Sequence, residues 1–249
     1  MSEYYKGKRA DAYNYGGKNW KLSRSKIDLF LECPRCFYVD NKLGIKRVPG
    51  YPFNLNSAVD ALLKKEFDLL REKGETHELI STYGVDARPV SHEELDVWRE
   101  NFKGVQFRHE KTGFLVTGAI DDLWINSKGE YIIVDYKSTS KDAEINTLDQ
   151  DWQDGYKRQM EVYQWLLRKQ GLKVSNSGYF VYCNGRKDVE KFDGKLEFNM
   201  TLIEYVGDDA WVEKTLFKIK KCLDGDVNPK SGKTCDWCTY WNARNEIEN

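Results

Sequence analysis

The chain has 249 residues, enough to bury one substantial hydrophobic core, so we expect one domain with appendages. Charged residues make up 32% of the chain and aromatic residues 14%. No apolar run approaches the roughly 18 residues that span a bilayer, and no apolar signal-peptide core follows the N-terminus. These features predict a soluble, cytoplasmic protein and exclude a membrane partner.

The charges are unevenly distributed along the chain. Residues 1–50 hold 11 Lys/Arg against 5 Asp/Glu, and residues 51–210 hold 21 against 29, so these segments carry +6 and −8. A basic segment beside an acidic body suits a phosphate-backbone ligand and a carboxylate metal site, but a solvated lysine-rich terminus explains it equally well. Residues 1–20 lack periodicity and are predicted to be a flexible basic arm ahead of a single domain over 21–249.

Helical patterns dominate the first part of this domain. Ile27, Phe30 and Leu31 predict a short helix that leads into Cys33, with Pro34 ending or bending it. A second helix is predicted over 55–73 from apolar residues at three- and four-residue intervals, namely Val59, Leu62, Leu63, Phe67 and Leu70. Ser91 and Glu94 have the spacing of a capping box, which predicts a helix through about Phe102.

Strand patterns follow at 105–108, 113–117, 119–126 and 130–136, and they predict a meander of at least three strands. Beyond the meander the sequence predicts a helix over 152–169, strands over 178–183 and 195–205, and a helix over 208–223. This order of elements indicates a mixed α/β fold with a central sheet and flanking helices.

A hairpin register can be read from the turn at 127–129. If these three residues form the loop, with Gly129 in the left-handed conformation, paired residue numbers across the ladder sum to 256. Asp121 then lies opposite Asp135, close enough for the two carboxylates to share a cation. Lys137 lies two residues beyond Asp135 and therefore points to the same face, whereas a one-residue slip would separate Asp121 from Asp135.

The three side chains are those that metal-dependent phosphodiester hydrolysis requires. Carboxylate oxygens bind Mg²⁺ or Mn²⁺, and a lysine ammonium stabilises developing negative charge or positions the attacking water. The alternative is that Asp121 only ends a strand and that Lys137 pairs with Asp135. Because Asp135 follows an apolar run at 131–134 that has the pattern of a doubly buried strand, we favour the catalytic interpretation.

Two sequence segments resemble motifs of a known family. Gly118-Ala-Ile-Asp121 and Val134-Asp-Tyr-Lys137 resemble the second and third motifs of the PD-(D/E)XK nuclease superfamily, specifically its RecB-like branch. Gln159 and Tyr163 resemble the QxxxY motif of that branch, and their four-residue spacing puts both on one helical face. The segment 22–34 resembles the opening of RecB-type nucleases associated with CRISPR systems.

The resemblance implies a restriction-endonuclease-like sheet flanked by helices, a DNA substrate that is single-stranded or carries an end, and Mg²⁺ or Mn²⁺ as cofactor. It also implies that Gln159 and Tyr163 position the substrate and that the Tyr136 carbonyl adds a metal ligand. The chain carries no helicase motif, so any unwinding would come from a helicase or another DNA-processing partner.

The third carboxylate of the metal site is less well defined. Where the branch carries Gly-x-x-x-His, this chain has Asn56 and Asp60, and the resemblance gives the metal role to Asp60. Periodicity offers Glu66 as the fallback, because it falls on the predicted apolar stripe, where burial of an unpaired carboxylate is costly. The two are six residues apart on a helix, so we expect only one of them to reach the metal.

Four cysteines form a CxxC…CxxC arrangement, in which Cys33 and Cys36 pair with Cys235 and Cys238. Each pair can bind a tetrahedral or cuboidal centre, so the chain predicts a structural metal site that joins its N- and C-terminal segments. A symmetrical two-plus-two set suits Zn²⁺, whereas the family resemblance places a 4Fe-4S cluster slightly ahead. Reduced, packed cysteines are the remaining alternative.

The sequence therefore predicts a metal-dependent deoxyribonuclease in which Asp121, Asp135 and Asp60 bind the cation and Lys137 assists the attack. One alternative is a catalytically inactive nuclease fold that binds DNA or serves as an assembly subunit, and the absence of the motif histidine favours it. Another is a purely structural metalloprotein organised by the cysteines, which would have no affinity for DNA at low salt.

Overall fold

The computed structural model describes residues 7–50 and 52–248, and the chain divides into two compact units. Unit 1 comprises Met1–Tyr51, Phe107–Thr117 and Ala210–Asn249, and unit 2 comprises Pro52–Gln106 and Gly118–Asp209. The boundary between an arm and a domain at residue 20 stays a prediction. Residues 1–6 of that arm lie outside the described residues, and Asp11–Tyr13 forms a 3₁₀ helix.

Unit 1 is built mainly from helices at the two ends of the chain: α1 (Arg24–Glu32), α2 (Pro34–Asn41), α7 (Ala210–Asp224) and α8 (Asp236–Glu248). The short predicted helix before Cys33 is confirmed as α1. Pro34 begins the next helix, because a first-turn proline sacrifices no helical hydrogen bond. The sequence did not predict α8.

A three-stranded sheet has the order β1 (Leu22–Ser23), β4 (Phe114–Gly118) and β3 (Val105–His109), with β1 parallel to β4. Unit 2 contains α3 (Asn54–Lys73), α4 (Glu78–Thr82), α5 (Leu95–Arg99) and α6 (Asp154–Lys169). Its five-stranded sheet has the order β2 (Arg88–Pro89), β5 (Asp122–Ile125), β6 (Tyr131–Thr139), β7 (Ser177–Gly185) and β8 (Phe198–Val206).

The five-stranded sheet is mixed, because β6 and β7 run parallel and the other neighbouring pairs run antiparallel. The expected mixed α/β fold with a central mixed sheet is thereby confirmed. The long α6 supplies the crossover that a parallel pair of strands requires. Among the described residues, none of the helices combines the length and the apolar character needed to cross a membrane.

Three local predictions are wrong. The meander is split between two sheets, since β3 and β4 lie in one and β5 and β6 in the other; the amide of Ile120 bonds to the carbonyl of Trp98 instead of continuing a ladder. The helix after Ser91 spans only Leu95–Arg99 and has no side-chain cap. Leu62 of α3 is 63% exposed, so Leu63 and Phe67 form the fully buried part of that helix face.

The hairpin register is confirmed. Asp122 pairs with Val134 and Ile125 with Tyr131, so the residue numbers sum to 256. Gly129 has φ +69°, a backbone conformation that glycine adopts without steric cost, and its amide bonds to the carbonyl of Asn126. The loop length therefore sets which face of the sheet each aspartate occupies.

The side chain of Asp122 lies at the centre of a buried ion network in unit 2. It is fully buried and accepts hydrogen bonds from Arg71, from Arg99 at 2.6 Å and from the Tyr136 hydroxyl at 2.8 Å. Both guanidinium groups also contact Asp68. Burial lowers the pKa of Arg99, but the charges of Asp122 and Asp68 outweigh burial and raise it overall. The network neutralises charge inside the core, where an unpaired ion would be costly.

We expect Asp122→Asn to lower the free energy of unfolding by about 3–5 kcal/mol, because it removes the buried counterion of two guanidinium groups and leaves them only the partly exposed Asp68. Urea unfolding followed by circular dichroism measures this. Glu100→Gln is the matched control, since it breaks an exposed pair with Lys103 in the same unit and should leave the midpoint nearly unchanged. Equal effects of the two substitutions would show that the network does not stabilise the core.

Candidate active site and cysteine centre

Asp121 stands immediately before β5, and its side chain bonds to the neighbouring strand. One carboxylate oxygen accepts the backbone amide of Tyr136 at 2.9 Å, and the Arg99 guanidinium donates to the backbone carbonyl of Asp121 at 2.9 Å. Because Tyr136 follows Asp135 directly, this hydrogen bond fixes Asp121 beside the end of the buried strand β6. The ladder itself ends one pair earlier, at Asp122 and Val134.

Asp60 on α3 joins Asp121 through a lysine. The Lys64 ammonium lies 2.9 Å from a carboxylate oxygen of Asp60 and 3.5 Å from one of Asp121. Burial and the nearby charge of Asp121 raise the pKa of Asp60, while Lys64 opposes the rise. The three groups therefore form a site in which two carboxylates share one positive charge.

Asp135 and Lys137 contact each other on one face of β6. Asp135 is fully buried and forms an ion pair with Lys137, whose side chain is 14% exposed. The Lys137 ammonium also lies 4.5 Å from the ring centroid of Tyr156, a distance typical of a cation–π interaction. This agrees with the expected common face and holds the lysine in one position.

Gln159 and Tyr163 extend this contact into α6. The Gln159 amide donates to Asp135 at 2.6 Å and to the Tyr163 hydroxyl at 3.0 Å, and both side chains are buried. A Cβ at Gly118 would lie 2.7 Å from the Tyr163 ring, so only glycine permits this close approach. The two residues orient Asp135 in the structure, and their direct role in positioning the substrate stays a prediction.

The structure thus brings the sequence-predicted residues of unit 2 into two linked groups. Asp60 and Asp121 form one, and Asp135, Lys137, Gln159 and Tyr163 form the other. Glu66 lies outside both, because its side chain is 53% exposed and its carboxylate contacts His77 at 2.9 Å. The Tyr136 carbonyl as a metal ligand stays a prediction, and so do the catalytic roles of the other residues.

Sequence reasoning missed Lys64 and Asp122. Lys64 lies four residues after Asp60, a helical spacing that brings opposite charges together. Asp122 is the first residue of β5, a strand that is otherwise apolar. A carboxylate buried in such a strand needs a partner of opposite charge. Both signals were present in the sequence, but neither showed that Lys64 also contacts Asp121 or that Asp122 binds Arg71 and Arg99, because these partners lie in distant segments.

A cavity of about 460 Å³ opens beside Tyr156, the aromatic residue under Lys137. It is lined by the apolar side chains of Phe53, Leu55 and Phe198 and by residues 138–140, which follow Lys137 directly. Asn56 also lines it and donates to the carbonyl of Ser138 at 2.8 Å. The cavity offers apolar contact and hydroxyl groups next to the catalytic candidate.

The four predicted cysteines form a second site in unit 1 and link the N- and C-terminal segments of the chain, as expected. Their sulfur atoms all lie within 4.8 Å of one another. The sulfur of Cys36 is 3.6 Å from those of Cys235 and Cys238, and the sulfur of Cys33 is 3.7 Å from that of Cys238. The group can hold a metal ion or cluster.

The surroundings of Cys33 favour its thiolate, whereas burial raises the pKa of the Cys36 and Cys238 thiols. Burial raises the pKa of the Cys33 thiol, but hydrogen bonds from the amides of Gly232 and Cys36 outweigh it and give a pKa of about 7. The Arg47 guanidinium lies 3.4 Å from the sulfur of Cys235. A Cβ at Gly232 would lie 2.0 Å from the Glu32 carbonyl, so glycine is required for this approach.

Comparison with known proteins tests the expected family. No curated protein matches the chain. A solved structure described as "Crystal structure of SSO0001" is 14% identical in sequence, and the alignment covers 84% of this chain and 79% of that one. Its TM-score of 0.35 is too low to support a conclusion about this chain. The model of the PD-(D/E)XK nuclease superfamily matches residues 21–243. Because this match spans most of the sequence, the chain belongs to the PD-(D/E)XK nuclease superfamily.

Proposed function

We propose that this protein is a divalent-metal-dependent DNA nuclease of the RecB-like branch. The observation that carries the proposal is the convergence of Asp60 and Asp121 on one positive charge, with Asp121 bonded to the amide that follows Asp135. Family membership supports a phosphodiester substrate, and the superfamily typically uses a divalent metal. The DNA preference follows from the resemblance of the motifs.

Asp60, Asp121 and Asp135 would supply the oxygen ligands that a hard cation such as Mg²⁺ or Mn²⁺ prefers, and two of them already share a cationic partner. The bound cation would polarise the phosphoryl group and lower the pKa of a water molecule. Lys64 occupies the cationic position between Asp60 and Asp121, so a cation bound by both carboxylates would take its place. Its charge then becomes available to a substrate phosphate.

The remaining residues orient the reacting groups. Asp135 and the Tyr156 ring hold the Lys137 ammonium in place. In this position the ammonium can stabilise negative charge on the phosphate or position the attacking water. Gln159 binds one oxygen of Asp135 and thereby fixes the direction in which the other oxygen points. Tyr163 in turn fixes Gln159.

Asp135→Asn and Lys137→Met should each lower the rate of DNA cleavage by about 10²-fold or more, because each removes a group that acts on the transition state. Labelled single-stranded and double-stranded DNA, incubated with purified protein and Mg²⁺ or Mn²⁺, gives the rates. Cleavage by both variants at the wild-type rate would refute this active site. Metal-independent DNA binding without cleavage by the wild type would select the alternative of an inactive DNA-binding subunit.

Asp60→Asn should also abolish most cleavage, whereas Glu66→Gln should retain it, because only Asp60 lies beside Asp121. The two residues are on the same helix and each loses one negative charge, so Glu66→Gln is a matched control. Cleavage by Asp60→Asn is measured at increasing Mn²⁺ concentrations. A rate that recovers at high Mn²⁺ indicates weakened metal binding, whereas an unfolded variant stays inactive at every concentration. If Glu66→Gln proves the more damaging variant, the third carboxylate is wrongly assigned.

We also propose that the four cysteines hold a single Zn²⁺ ion with a structural role. With Zn–S bonds of roughly 2.3 Å, a tetrahedral site has sulfur–sulfur distances of about 3.8 Å. The distances of 3.6 Å from Cys36 to Cys235 and to Cys238 and of 3.7 Å from Cys33 to Cys238 fit that geometry, and all four sulfur atoms lie within 4.8 Å of one another. In a 4Fe-4S cluster each cysteine binds a different iron, which holds the sulfur atoms further apart. The spacing therefore favours Zn²⁺ over the cluster that the resemblance implied.

The purified protein should be colourless and contain about one zinc per chain, as measured by elemental analysis. Cys36→Ser should lose most of the zinc, whereas Cys183→Ser, a buried cysteine of unit 2, should keep it. A brown, iron-containing protein with a broad visible absorption band after anaerobic purification would overturn the zinc assignment and restore the 4Fe-4S cluster.

A further inference from the structure

Positive charge is concentrated in the unit that does not contain the candidate active site. Unit 1 holds 20 Lys/Arg against 12 Asp/Glu, and unit 2 holds 19 against 28, so their net charges are +8 and −9. The carboxylates of unit 2 suit a cation, but the net charge of that unit repels a polyanion. A nuclease with this charge distribution gains affinity for its substrate if unit 1 contributes a binding surface.

Unit 1 contains a cleft with the chemistry of such a surface. The cleft has a volume of about 480 Å³ and is lined by cationic side chains from two segments, Lys18 and Lys21 before β1 and Arg108 on β3. Lys220 also lines it, but Asp224 neutralises that charge at 2.9 Å. Lys18 and Arg108 are exposed, so both can reach a phosphate group.

Aromatic side chains form the other part of the cleft. The ring centroids of Tyr15 and Trp20 are 5.2 Å apart, and Trp20 lies 5.5 Å from Phe114 in an edge-on arrangement. Hydrogen bonds hold both rings in place: the Tyr15 hydroxyl donates to Asp224 at 2.7 Å, and the Trp20 indole donates to Asn41 at 3.1 Å. Tyr15 and Trp20 are half-buried, so each presents part of its ring to the cleft.

A lysine lies beside the Trp20 ring. The Lys26 ammonium lies 4.9 Å from the centroid of the Trp20 ring. Burial, together with the positive charge of Arg9, lowers the pKa of Lys26 to about 8. Lys26 therefore adds a positive charge next to one of the aromatic rings that line the cleft.

We propose that the cleft formed by Tyr15, Lys18, Trp20, Lys21 and Arg108 binds a single-stranded DNA segment, with its phosphates on the cationic side chains and a base against the aromatic rings. Preformed aromatic surfaces combined with basic side chains are the usual means of binding single strands without sequence preference. The cleft volume accommodates about one nucleotide unit. The inference rests on the proposed function for its choice of DNA, but binding requires neither the metal nor cleavage.

The test is fluorescence anisotropy with a labelled single-stranded oligonucleotide, full-length protein and no added divalent cation. We expect the double variant Lys18→Glu with Arg108→Glu to weaken binding about tenfold or more. The slope of the logarithm of the binding constant against the logarithm of the salt concentration should also become less steep by more than about 0.7, the value for one phosphate contact on a single strand. Lys214→Glu with Lys218→Glu is the matched control, because both lysines are exposed on α7, belong to unit 1 and lie outside the cleft lining. The control should weaken binding by about twofold or less.

Equal weakening by both double variants would overturn the cleft, because it would show a general charge effect, and unchanged binding by the cleft variant would overturn it as well. Circular dichroism checks that each variant is folded. If the cleft variant does not fold, photocrosslinking of a 5-bromouracil-substituted strand to the wild-type protein decides: crosslinks within 15–21 support the cleft, and their absence from that segment overturns it. Cleavage assays with metal are separate, so a protein that binds here without cleaving fails only the proposed function.

Discussion

The register of the β5–β6 hairpin determines both the stability of unit 2 and the geometry of its candidate active site. Successive residues of a strand point to opposite faces, so Asp121 and Asp122 have different environments although they are neighbours. Asp122 enters the buried ion network, and Asp121 bonds to the amide of Tyr136 beside Asp135. The Arg99 side chain contacts both aspartates, one through its carboxylate and the other through its backbone carbonyl. A one-residue slip would exchange these environments and bury the wrong carboxylate.

Charge compensation is the second requirement of this site. Two carboxylates at one place repel each other, and Lys64 relieves that repulsion between Asp60 and Asp121. Lys137 does the same for Asp135. The two lysines therefore have comparable electrostatic roles in the described structure, but only Lys137 is held by an aromatic ring as well. We infer from this difference that Lys64 is the group that yields its place to a cation.

The sequence was most informative where the fold is local. Loop length and Gly129 were sufficient to predict the register. The cysteine group joins distant segments, but it was also predicted, because two CxxC pairs share the chemistry of one metal site. The sequence was least informative where partners come from distant segments. Arg71 and Arg99 lie far along the chain from Asp122, and no periodicity links them. The split of the predicted meander into two sheets has the same origin, because Ile120 bonds to Trp98, which lies on α5.

The exposed and buried charges of the chain have different consequences for function. A buried charge such as Asp122 is fixed by its partners, so its substitution disturbs the fold before it disturbs chemistry. Exposed cations such as Lys18 and Arg108 have little effect on stability, and their concentration in unit 1 therefore needs another explanation. Electrostatic attraction of a polyanion provides one, since the acidic unit 2 cannot supply it. The two proposals therefore assign metal-dependent hydrolysis and substrate affinity to different parts of the chain, so substitutions in one part should leave the property assigned to the other unchanged.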